Sequence, residues 1–134
     1  MSAAEFEARF ADSETRAELL RDEVILRSPT TSLHGIHTMR VSLPIAQFVE
    51  PHGLGVVCGA ETGFVIQHAD GAESVLAPDM AFIAAERIPD PLPEGFWRIP
   101  PDLVVEIRRA ARANARSPKK PPCGWRQARG WCGM

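Results

Sequence analysis

Apolar and polar positions alternate along this chain with two different periods, and the change of period divides it into segments. Ser2 followed three residues later by Glu5 has the form of a capping box, opening a short helix that reaches Phe10. Phe6 and Phe10, four apart, share one side of that helix. Residues 14–20 read as helical or extended, and Glu23, Val24, Ile25 and Leu26 as a strand ended by Ser28-Pro29. Between residues 32 and 50, Leu33, Ile36, Leu43, Ala46, Phe48 and Val49 recur at helical spacing, which predicts the main helix. Pro44 lies inside it and predicts a kink or break, at a cost of about 3 kcal/mol for an interior proline. Gly53-Leu54-Gly55 closes the helix.

Beyond that point the period shortens. Residues 56–58 and 63–66 predict two strands, and Asp70-Gly71 a turn. Residues 75–83 read as one strand reaching the core, with Pro78 marking an edge or a bulge. Residues 88–101 hold five prolines and predict a loop. Leu103, Val104, Val105 and Ile107 surround Glu106 in what reads as a buried strand. One main helix with several strands gives an α/β fold class, or α+β with a mixed sheet.

Charge adds a boundary. All 17 acidic residues precede residue 107, where seven arginines and no lysine accompany them, a net of −10. Residues 108–134 carry eight cations and no acid, and contain no Val, Leu, Ile or Phe. Such a segment cannot bury enough apolar surface to offset its ordering entropy. The chain therefore divides into a domain over residues 1–107 and a basic, disordered tail over 108–134. No apolar run approaches the roughly 18 residues of a membrane span, and the acidic first ten residues do not resemble a secretory signal. Cys58, Cys123 and Cys132 make neither a disulfide framework nor a zinc pattern, which points to a reducing cytoplasm. Cys58 reads as a buried small hydrophobe. His34, His37, His52 and His68 offer no zinc spacing and read as structural or exposed.

The candidate chemistry lies in two acids within apolar strands. Glu106 cannot be buried cheaply without a partner, and Asp79 precedes Met80-Ala81-Phe82-Ile83. If their strands are neighbours, both carboxylates can face one side and suit a hard divalent cation. On residue types alone, the favoured reading is that Asp79 caps a turn and Glu106 faces solvent at a strand end.

The segments EFEARF, DEVILRSP followed by HG, GLGVVCGAETGF, APDMAFIAAERIP, LPEGF and PPDLVVEI occur in the order seen in Uma2-family proteins, and over residues 3–107 the chain resembles that family. The resemblance implies a restriction-endonuclease-like core and Mg²⁺- or Mn²⁺-dependent cleavage of DNA. Asp79 and Glu106 would be the catalytic and metal-binding acids, the Ile107 carbonyl would join the metal shell, and Glu18 would be an auxiliary acid. For Glu18 the alternative is a solvated helical face. No membrane association is implied, and a homodimer is left open.

The chain departs from the family pattern at Arg21-Asp22-Glu23, where the turn glycine is missing, at Pro44, and at Arg108-Arg109. The downstream helix, closing strands and family lysine are absent, and neither Lys119 nor Lys120 stands in a matching context. A shifted reading frame over residues 117–132 permits AEKTA and VWLAAGARMVW, which resemble the missing segment, so a frameshift near residue 107 is one origin for the tail. Two further readings follow: a truncated member without activity, or a non-enzymatic module whose basic tail, with Trp125 and Trp131, binds nucleic acid.

Overall fold

A computed structural model describes residues 1–108. The tail read from charge lies outside the described residues except for Arg108. Helix α1 (Ala3–Phe10) starts as its sequence dictates: the Ser2 hydroxyl accepts from the Glu5 backbone N–H, and the Glu5 carboxylate accepts from the Ser2 N–H. Strands β1 (Ala17–Leu20) and β2 (Glu23–Leu26) form an antiparallel hairpin, so the helical option for residues 14–20 gives way to a strand from Ala17. Its two turn residues, Arg21 and Asp22, have positive φ of 49° and 66°. The missing glycine is compensated from the neighbouring strand. The Arg21 N–H donates to Ser74 Oγ at 3.0 Å, and Asp22 Oδ1 accepts from the Glu73 N–H at 3.0 Å.

Helix α2 (Ser32–Val49) runs through Pro44 as one element, so the predicted break is absent. Thr31 caps its start, and Gly53, with φ 62°, turns the chain out of its end. Strands β3 (Gly55–Gly59), β4 (Phe64–Gln67), β5 (Glu73–Leu76), β6 (Met80–Ala84) and β7 (Leu103–Val105) follow. They assemble with the hairpin into two antiparallel sheets, in the orders β2-β1-β5-β4 and β3-β6-β7. The α+β class stands, with two sheets in place of a single mixed one.

The long apolar run 75–83 is two strands in different sheets. Proline lacks the N–H a ladder needs, and at Ala77-Pro78-Asp79 the chain leaves the four-stranded sheet for the three-stranded one. Both halves are apolar because both are buried: Val75, Leu76, Met80, Ala81 and Ile83 are all core residues. The predicted buried strand at 103–107 is shorter and lies at a sheet edge, where Leu103 is 40% exposed.

Alternation along β4 divides its residues between two cores. Phe64 and Ile66 pack with Leu76, Ala81, Ile83 and Trp97, where the two sheets meet. Val65 packs with Leu19, Val75, Ala3 and Phe6, so α1 covers the opposite face. The proline-rich loop is pinned along the free edge of β4: the Val65 N–H donates to the Trp97 carbonyl at 2.8 Å, and the Trp97 N–H donates to the Gly63 carbonyl at 2.9 Å. That pairing covers an edge which would otherwise present open backbone groups. Among the described residues, no helix is long and apolar enough to cross a membrane.

Candidate active site

The sheet crossover creates the site. In the β6–β7 ladder Met80 pairs with Val105, Ala81 with Val104 and Phe82 with Leu103. Extending that register by one step sets Asp79 opposite Glu106, and directly opposed residues in an antiparallel pair project to the same face. Both line one open cavity of about 1040 Å³, together with Glu18, Arg27, His34 and Arg108.

Glu18 arrives from the other sheet. It sits in β1 opposite Ile25, and its side chain is only 12% exposed, so it does not occupy a solvated helical face. Arg27 donates to Glu18 Oε2 through Nε at 2.8 Å and through Nη2. The three acids singled out from sequence and resemblance thus line the same open cavity.

Asp79 is held from two directions. Its Oδ2 accepts the Ile107 backbone N–H at 2.6 Å, and its Oδ1 lies 2.8 Å from His34 Nε2. Ile107 does come to the site, through its N–H; the expectation for its carbonyl stays an expectation. His34, for which the sequence predicts a structural or exposed place, contacts Asp79 through its imidazole from the first turn of α2. Sequence offered only the HG dipeptide as a signal, with nothing to connect positions 34 and 79.

Glu106 is the electrostatically unusual group. Loss of solvation, then the charges of Asp79 and Glu18, push its carboxyl up to about 7, against opposing pulls from Arg27 and Arg108. Its pH consequence has a definite sign. The unfolded chain releases this proton near 4.5, while the folded chain keeps it to about 7. The native state thus binds the extra proton between those values, and stability falls as pH rises through that window. Glu106 is an exposed residue at the end of β7, so desolvation is partial and solvent screening tempers the size of the effect. In buffer without divalent ions, thermal denaturation should show a fall in Tm from pH 5 to pH 7.5, and Glu106→Gln should flatten that slope. An unchanged slope in the variant rejects the assignment.

The donor set fits a hard divalent cation. Oxygen ligands suit Mg²⁺ and Mn²⁺, and Mg²⁺ is commonly held by one or two carboxylates with water and phosphate filling the other positions. Each Asp79 oxygen uses one lone pair on a protein donor, which leaves others free. The repulsion that raises Glu106 is the kind a bound cation relieves. Among the described residues, no three His, Cys, Asp or Glu side chains are grouped so as to hold a metal by themselves. The fit is thus to an ion shared with solvent and ligand, rather than to a closed structural site.

Comparisons with known proteins give the family and the fold. The family model for Uma2, described as a putative restriction endonuclease, matches residues 3–123. The chain belongs to the Uma2 family. Its fold is similar to a crystal structure from Anabaena variabilis described as a putative nuclease belonging to DUF820, with a TM-score of 0.64 at 18% identity. That match covers 81% of this chain and 59% of the other, so the Uma2 chain described here spans about three-fifths of that relative's length. A search of curated proteins returned no match.

Proposed function

We propose that this Uma2-family chain hydrolyses DNA phosphodiester bonds with a divalent cation, Mg²⁺ or Mn²⁺, held by Asp79 and Glu106. Support for the reading comes from the β6–β7 register, which continued by one step pairs Asp79 with Glu106, and from the cavity that both residues line together with Glu18. When bound, such an ion supplies Lewis acidity toward a phosphate oxygen and a water activated near neutral pH. The chain's own residues provide the rest. Asp79 is oriented by the Ile107 N–H and His34, while Glu106 must lose its proton before it can serve as a ligand. Glu18 anchors Arg27 at the cavity wall, where the guanidinium can receive a phosphate.

A second reading, a family member without activity, draws support from apolar exposure. On α2, Leu33, Ile36, Met39, Leu43 and Phe48 are 48–62% exposed, and among the described residues β7 pairs only with β6. A surface of that kind favours association. A plasmid-nicking assay decides between the two. The active reading expects nicking that requires Mg²⁺ or Mn²⁺ and disappears in Asp79→Ala and Glu106→Ala. Folded wild-type protein that does not nick with either ion supports the inactive reading. Nicking that survives both substitutions rejects the assigned site.

A further inference from the structure

We propose that His34 is a positioning residue that fixes the orientation of the Asp79 carboxylate, an inference that rests on the reading of Asp79 as a metal ligand. His34 is itself fixed. Its backbone N–H donates to Thr31 Oγ1 at 3.4 Å, and its carbonyl accepts from Thr38 Oγ1 at 3.0 Å. The imidazole therefore projects from the capped start of α2.

Its Nε2 lies 2.8 Å from Asp79 Oδ1, and the two side chains are only 18% and 16% exposed. An ionised carboxylate is an acceptor only, so the hydrogen in this contact is carried by Nε2. A hydrogen bond to a charged acceptor in a largely buried setting is short and strong. On the other side of the same carboxylate, Oδ2 takes the Ile107 N–H at 2.6 Å. The two donors come from different parts of the chain, one from α2 and one from Ile107, two residues beyond β7, and they bind opposite oxygens. Together they stop rotation of the carboxylate about its Cβ–Cγ bond. Without His34 one donor remains, and the carboxylate can turn away from Glu106.

The contact also ties α2 to the sheet crossover, linking elements 45 residues apart in sequence. An Nε2–H in this role leaves a specific signature under substitution. Glutamine can present an amide N–H at a similar reach, whereas alanine cannot.

The test uses the full chain and Mn²⁺ as the probe, with dissociation constants from titration calorimetry at pH 8 and folding checked by circular dichroism. Removing a group that orients a metal ligand weakens affinity by about 10- to 100-fold, so His34→Ala should bind Mn²⁺ at least about tenfold more weakly. His34→Gln should recover most of that loss, and combining His34→Ala with Asp79→Ala should weaken binding no further than Asp79→Ala alone. In nicking, His34→Ala should lower kcat at saturating Mn²⁺ and leave the plasmid KM nearly unchanged. Wild-type Mn²⁺ affinity in His34→Ala overturns the proposal, as does a His34→Gln variant that is folded yet as weak as His34→Ala. If Asp79→Ala binds Mn²⁺ like the wild type, the metal-ligand reading falls and takes this proposal with it. A failure confined to the His34 variants overturns the positioning role alone.

Discussion

Glu106→Gln is expected to slow divalent-ion-dependent cleavage about a hundredfold or more, the scale of losing one group that stabilises charge in an active site, while raising Tm at pH 8. The two effects have one cause. Glutamine keeps the shape of the side chain and removes its charge. The ion then loses a carboxylate ligand, so the reaction suffers. The fold, in contrast, is relieved of a carboxylate whose ionisation is opposed by desolvation and by the charges of Asp79 and Glu18. Opposite signs for activity and stability are characteristic of a site that stores electrostatic repulsion for a ligand to relieve. Parallel nicking and thermal-denaturation measurements check the prediction. A variant that cleaves normally, or that melts lower than the wild type at pH 8, contradicts it.

Phe64→Ala is expected to cost about 3–5 kcal/mol of stability, the range for deleting a buried aromatic ring. Phe64 is fully buried where the two sheets meet, and its ring stacks on Trp97 with centroids 6.2 Å apart. It therefore supports both the inter-sheet core and the loop that covers β4. Against a total of about 5–15 kcal/mol for an ordinary domain, the loss leaves little margin. Phe48→Ala supplies the contrast: this ring is 59% exposed on α2, and its removal should change stability by about 0.5 kcal/mol or less. Urea denaturation followed by circular dichroism measures both. Equal effects from the two substitutions would place the core elsewhere.

Much of the local structure was legible because short-range chemistry determines it. Ser2 and Glu5 announced α1, and the apolar spacing of residues 33–49 announced α2 in spite of Pro44. The helix continues through Pro44, and α2 packs on β3. The sheet crossover was not legible. A run buried on both sides of a crossover has the same composition as a single buried strand, and only Pro78 hinted at the change. The half-exposed state of β7 was hidden for a related reason, since aliphatic content does not reveal whether a strand is central or at an edge.

The site was legible in its acids and silent in its geometry. Asp79 and Glu106 stood out as charges in apolar strands, and Glu18 entered through family resemblance. Their convergence depends on a ladder register and on two sheets meeting, neither of which is encoded locally. His34 escaped notice because an imidazole on a helix carries no information about a partner 45 residues away. Arg21 and Asp22 show the same limit. The missing glycine looked like a defect of the turn, whereas contacts to Glu73 and Ser74 supply what the backbone lacks.

The most direct test of the shared-ion site is paramagnetic broadening in an amide NMR spectrum titrated with substoichiometric Mn²⁺. The account predicts that the amide signals of Asp79, Met80, Glu106 and Ile107 broaden first and together, with that of Glu18 close behind. Broadening centred on other acids, such as Asp22 and Asp70, with the Asp79 and Glu106 signals left sharp, would contradict it.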